Sequence, residues 1–210
     1  MARKPQVDVL LLRSGQTTWE DGGRVQGGAD LPMTEGGRSV TATVINHALS
    51  VAGGLTLGSV YCPTDEASVE TAKMLADRTG SPRVRRLETL DGAPAGLWEG
   101  QLESEASERY PTSFAQWRED PTSATPPEGE PTVETEIRVL STLARVLERT
   151  TSDRIGVVLR PFEFGLIRCV LAGKPASELW SMLEDGPSAE RRSIARTLFR
   201  EQLARLTSRV

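Results

Sequence analysis

Arg13 and Ser14 stand where the apolar run "VDVLLL" gives way to the turn "RSGQTTW". A guanidinium beside a hydroxyl at the end of a buried strand can hold an oxyanion, and the serine can attack an electrophilic centre. Near neutral pH the alcohol needs an adjacent base or a metal for that attack. The chain has a single histidine. This is His47, in "VINHALS", a helical stretch away from the strand ends. Asp91 and Glu163 are the remaining candidate bases, and each serves only if its loop brings it within hydrogen-bond reach. Asp65, Glu66 and Asp91 lie on two loops expected to converge and could hold Mg²⁺ or Ca²⁺. Asp65 and Glu66 also stand at the start of a helix, where capping accounts for them. The expectation is therefore no metal and no cofactor.

The scaffold that must position these residues is read from periodicity. Apolar runs at 7–12, 57–63, 83–90 and 154–159 read as strands. Helical stretches lie between them. One starts at Thr34 and runs through "SVTATVINHALSVA". Another, "DEASVETAKMLADRTG", stops at Gly80, and "TVETEIRVLSTLARVLERT" and "FGLIRCVLAG" follow. Alternation of this kind implies an α/β fold, a mostly parallel sheet covered by helices on both faces. Ligands then bind at the carboxyl ends of the strands, so the loops after Arg13, Cys62, Leu90 and Leu159 matter most.

The chain is expected to be one domain, 1–210, closing in a helical segment at about residues 187–210. That segment carries Arg191, Arg192, Arg196, Arg200, Arg205 and Arg209 beside an apolar stripe of Ile194, Leu198, Leu203 and Leu206. Such a pattern is a solvated face over the core or a surface for an acidic protein partner.

Hydrophobic residues make up 38% and charged residues 26% of the 210 positions, the balance of a folded globular chain. A net charge of −4 gives no general attraction to nucleic acid or to an anionic membrane, and neither partner is expected. No apolar run approaches the ~20 residues needed to span a bilayer. The start reads as a first strand and not as a secretory signal. Cys62 and Cys169 are too few for a disulfide framework and read as buried thiols of a cytoplasmic protein.

The segment "LLRSGQTTWEDGGRVQGGADLPMTEGGR" resembles the opening of the histidine phosphatase, or phosphoglycerate mutase-like, superfamily. The pattern there is R-H-G-E-T-x-W, then G-R-x-Q-G, then D-x-P-L-T-x-x-G. Arg13, Gly15, Thr17, Trp19, Gly23, Arg24, Gln26, Gly27, Asp30, Pro32, Thr34 and Gly37 fall in register. "GLWEG" (96–100), "ERYPTSFAQWREDP" (108–121) and "LIRCVLAGKP" (166–175) also look like later segments of that family. The resemblance implies a three-layer α/β sandwich and a phosphate-handling ancestor.

The resemblance also implies a set of reacting groups. In the family one histidine carries the phosphoryl group, a second histidine and two arginines hold its oxygens, and a further residue delivers a proton. Arg13 matches the first arginine, but Ser14 stands in place of the nucleophile. Ala67 replaces the second arginine and Gly92 the acid. The second histidine follows the last strand, in V-S-H-G. Counting from the strand gives Pro161, and counting back from Ile167 and Arg168 gives Glu163. The expectation is a catalytically inactive domain that binds a small phosphate-like anion or a protein partner. Arg13, Ser14 and Arg24 would face the ligand. The alternative is a weak or altered phosphomonoesterase or phosphoglycerate mutase-type enzyme with a mechanism foreign to the family. Arg13 is expected to pair with Asp91, Glu163 or Glu66, or to hold an anion, because a buried unpaired charge is costly.

Overall fold

The computed structural model describes residues 4–208. Its strands are β1 (Gln6–Arg13), β2 (Ser59–Cys62), β3 (Val84–Arg86), β4 (Arg154–Leu159) and β5 (Ala189–Ala195). They form one sheet in the order β3-β2-β4-β1-β5. β1 to β4 run parallel, and β5 lies antiparallel along β1. The helices are α1 (Thr18–Asp21), α2 (Glu35–Val51), α3 (Glu66–Thr79), α4 (Glu103–Arg109) and α5 (Pro111–Glu119), then α6 (Thr132–Arg149), α7 (Pro161–Ala172), α8 (Leu179–Glu184) and α9 (Leu198–Thr207).

Side-chain alternation along β1 builds the layers. Val7, Val9 and Leu11 enter a core shared with Leu140 and Leu143 of α6, Phe164 of α7 and Phe199 of α9. Leu10 and Leu12 enter a second core with Ile45 of α2 and Leu75 of α3. Two helical layers thus enclose the sheet, as a period-two strand with two apolar faces requires. Thr34 caps α2 by accepting from the Gly37 N–H at 2.9 Å, and Asp65 caps α3 by accepting from the Ser68 N–H at 3.0 Å. Gly80 ends α3 in the left-handed region, at φ 63°.

Two expectations are corrected. The third strand stops at Arg86, and Glu88–Leu90 turns as a short 3-10 helix that buries Leu90. The C-terminal segment is not helical from about 187. Residues 189–195 extend as β5, with Ala189 packing against one core and Ile194 entering the other. Pairing from Gln6 to Leu12 satisfies the edge of β1 and overrides the helical composition of "AERRSIA".

Four arginines of this segment are occupied. Arg191 meets Asp8 at 2.8 Å, Arg192 meets Glu190, and Arg200 meets Glu148 at 2.5 Å. Arg196 donates to the backbone carbonyls of Lys4 at 2.8 Å and Thr150 at 3.0 Å. Arg209 lies outside the described residues. Cys62 and Cys169 are buried and free, and burial pushes their thiols up to about 12 and about 11. Among the described residues no helix is long and apolar enough to cross a membrane.

Candidate functional site

The loops after β1, β2, β3 and β4 meet at one sheet edge. The Ser14 N–H donates to the Leu159 carbonyl at 2.8 Å, tying the first loop to the end of β4. The Gly15 N–H donates to Thr71 Oγ1 of α3 at 2.9 Å. Asp91 accepts from the Thr64 N–H at 2.6 Å and from its hydroxyl at 2.7 Å, which joins the second loop to the third. Glu163 accepts from the Ala93 N–H at 2.8 Å, which joins the third to the fourth. Ser14, Ala67, Gly92 and the Pro161–Glu163 turn are therefore neighbours, although they are far apart in sequence.

At the centre of this edge is a residue that sequence counting passed over. β4 ends at Leu159, and the next side chain, Arg160, turns inward and is 3% exposed. Arg160 follows β4 directly, one residue before Pro161 and three before Glu163. Pro161 occupies the first turn of α7, where its missing N–H costs nothing. Glu163 sits one residue-turn further along. The signal was present in the sequence: a charge directly after a fully buried strand must find a partner. That partner is Asp65, whose Oδ1 lies 3.2 Å from the Arg160 Nη1. The Ala29 carbonyl accepts a longer bond at 3.5 Å.

Arg13 does not pair with Asp91, Glu163 or Glu66. It lies 3.4 Å from Glu20. Thr17 caps α1 in a reciprocal box, so the Glu20 carboxylate also accepts from the Thr17 N–H at 3.0 Å. That box fixes Glu20 seven residues beyond Arg13, closer than any acid on the other loops. Ser14 is buried, and its Oγ has no hydrogen-bond partner among the described residues. His47 is exposed on α2.

The three expected ligand residues do not share one cavity. Arg13 and Ser14 line a pocket of about 150 Å³ beside the first turns of α2. Arg24 lines a separate cleft, about 170 Å³, together with Glu20, Arg160 and Glu163. One wall of the cleft is aromatic. Trp117 stacks on Phe162 at 6.1 Å, and Trp180 meets Trp117 edge-on at 4.6 Å. Arg118 lies over the Trp180 ring at 4.6 Å. Arg24 donates to the Gly100 carbonyl at 2.6 Å and, among the described residues, has no carboxylate within ion-pair distance.

Glu163 is fully buried, and desolvation pushes its carboxyl up to about 6 against the pull of Ala93 N–H, Arg160 and Arg138. Its Oε2 has no partner among the described residues. The folded state thus binds this proton more tightly than the unfolded chain does. Stability from this group is complete below the ordinary value of 4.5 and is lost as pH rises toward about 6. The span corresponds to about 2 kcal/mol. Glu163→Gln stays neutral and is expected to remove that loss. The check is the difference in unfolding free energy between variant and parent at pH 4.5 and pH 7; a difference that does not change with pH would contradict it.

A family model described as the histidine phosphatase superfamily (branch 1) matches residues 9–192, from β1 into β5. The chain belongs to that superfamily. Among relatives, it is 26% identical to Phosphoserine phosphatase 1 of Hydrogenobacter thermophilus, over 87% of this chain and 84% of that protein. It is 28% identical to Probable phosphoglycerate mutase GpmB of Yersinia pestis, over 81% of this chain and 77% of that protein. The solved structure of YhfR from Bacillus stearothermophilus superposes with a TM-score of 0.74 at 24% identity, covering 83% of this chain and 84% of that one. A mycobacterial glucosyl-3-phosphoglycerate phosphatase complexed with VO3 superposes at 0.69 with 23% identity, covering 92% of this chain and 98% of that one. These structural likenesses establish the histidine phosphatase fold for this chain.

Proposed function

We propose that this histidine phosphatase superfamily member binds a small anionic ligand and does not turn over phosphate esters. The observation that carries this reading is the Arg160–Asp65 pair at 3.2 Å, buried directly after β4 beside Pro161 and Glu163, the two positions the family resemblance offers for the second histidine. A guanidinium cannot shuttle a proton near neutral pH. Asp65 neutralises its charge, and among the described residues the Ser14 hydroxyl has no hydrogen-bond partner to act as its base. Arg24 is the cleft cation free of a carboxylate among the described residues, and the aromatic wall stands with it. The fitting ligand has an apolar or aromatic body and a phosphate or carboxylate that reaches Arg24.

A second reading, an altered phosphomonoesterase, is favoured by Glu163. Its carboxyl, raised to about 6, has the acidity of a general acid or base and lines the cleft. The named relatives are also phosphatases and a mutase. The two readings separate in one assay of the purified chain on p-nitrophenyl phosphate and phosphoserine. The expected result is no turnover above background and no acid-labile phosphohistidine. Turnover that falls in Ser14→Ala or Glu163→Gln would establish the second reading instead.

Restoring Ser14→His alone is expected to leave the chain inactive, since loss of a nucleophile and its partners costs about 10⁴–10⁶ in rate where it has been dissected. Arg160 would still fill the anion site. Replacing Gly92 with an acid is obstructed as well, because a Cβ there would come 2.6 Å from the Gly27 carbonyl oxygen.

A further inference from the structure

A groove along the β3 edge of the sheet, sharing no residue with the cleft, gathers five arginines. Arg85 and Arg86 lie on β3 with Arg83 just before it, and Arg145 and Arg149 lie near the end of α6. Spacing brings them together. Arg83 and Arg85 are two apart and share a face of the strand. Arg145 and Arg149 are four apart and share a face of the helix. Arg85 stands opposite Tyr61 in the sheet, and Tyr61 packs in the core beneath α6, so both pairs look into the same space.

That space measures about 740 Å³, and no carboxylate lines it. Elsewhere the chain matches its arginines with acids, as at Arg38–Glu70, Arg138–Glu130, Arg168–Glu190 and Arg191–Asp8. Among the described residues none of the five groove arginines has an acid within ion-pair distance, and Arg145 donates only to the Ser141 carbonyl. The chain as a whole carries −4, so this positive field is local.

Two structural roles explain part of the cluster. Charged side chains on an edge strand block pairing with another chain, which accounts for Arg83, Arg85 and Arg86. A cation in the last turn of α6 complements the helix dipole, which accounts for Arg149. Neither role explains Arg145, one turn before the end, or a concave groove that Thr89 and Thr151 also line.

We propose that this groove binds a small molecule carrying two or more linked phosphates. Guanidinium forks match phosphate oxygens bidentately. A single phosphate would leave most of the five cations facing one another, whereas a short polyphosphate distributes charge along the groove. The volume lies in the range of small-molecule sites, roughly 300–1,000 Å³.

The test is calorimetric titration of the full chain with inorganic tripolyphosphate near physiological ionic strength. One saturable site is expected. Affinity should fall about tenfold or more in the double variant Arg85→Gln/Arg145→Gln and stay unchanged in Arg109→Gln, an exposed cation of α4 that lines neither the groove nor the cleft. Both groove substitutions fall on exposed side chains, and circular dichroism confirms the fold. The proposal is overturned by a lack of saturation or by equal binding in the double variant. It is also overturned if binding is lost equally in Arg109→Gln, or if an oligonucleotide of matched charge displaces tripolyphosphate at lower concentration. Self-association of the double variant with unchanged affinity would assign the cluster to edge protection alone.

Discussion

Asp65→Ala is expected to destabilise the protein by about 3–5 kcal/mol, the usual cost of leaving one member of a buried ion pair alone. The Asp65 Oδ1 accepts from the Arg160 guanidinium at 3.2 Å and from the Ser68 N–H at 3.0 Å. With the carboxylate gone, Arg160 keeps only the Ala29 carbonyl at 3.5 Å, and its Nε has no partner to begin with. Loss of the α3 cap contributes about 1 kcal/mol of the total. Asp65→Asn separates the two contributions, because an amide oxygen still caps the helix but carries no charge, and it should fall between the parent and alanine. The double variant Asp65→Asn/Arg160→Met should lose less than the sum of its single changes, since the pair acts as one unit. Urea unfolding at pH 7 measures all of these. If Asp65→Ala costs only about 1 kcal/mol, the value of a cap alone, then Arg160 turns to solvent and the anion site is not closed from within.

That pair marks the boundary of what the sequence discloses. The strands at 7–12 and 154–159 were legible because continuous apolar runs of that length admit few other readings in an alternating chain. The convergence of the four loops followed from parallel topology, and the hydrogen bonds from Ser14 to Leu159 and from Ala93 to Glu163 bear it out. β5 was not legible, because "AERRSIA" has helix-forming composition and only the open edge of β1 makes it a strand. The partner of Arg13 was missed for a local reason. Glu20 was not weighed because the capping box at Thr17, which aims its carboxylate, is a property of backbone geometry. Arg160 is a matter of register. A gap inside "VVLRPFEFGLIR" shifts the signature by two residues depending on which end anchors the count, and the observed end of β4 at Leu159 makes Arg160 the first side chain beyond the strand.

Trp98→Ala is expected to cost about 3–5 kcal/mol and to loosen the cleft, although Trp98 does not line it. The indole is fully buried at the foot of the aromatic cluster. Phe114 meets its ring edge-on at 5.2 Å and Trp117 at 5.5 Å, and Tyr110 is tilted against it at 6.0 Å. Trp117 in turn stacks on Phe162 and accepts the Trp180 indole N–H on its carbonyl at 2.8 Å. Truncating Trp98 therefore opens a void beneath the wall that Trp117, Phe162 and Trp180 present to a ligand. The backbone on either side of Trp98 is itself tightly placed. Gly96, at φ +53°, passes so close to the Pro127 carbonyl that any Cβ would collide with it, and Gly100, at φ +79°, lies under the Trp19 ring. The path of "GLWEG" is thus fixed at both ends, which limits how far the backbone can move to fill the void. Trp98→Phe is expected to cost less than alanine, because it keeps a ring and removes an indole N–H that has no partner among the described residues. Denaturant midpoints give the stability change, and binding of an aromatic anion to the cleft should weaken in parallel in the alanine variant. A Trp98→Ala protein as stable as the parent would show that the cluster repacks freely, and the rigid aromatic wall on which the ligand class rests would go with it.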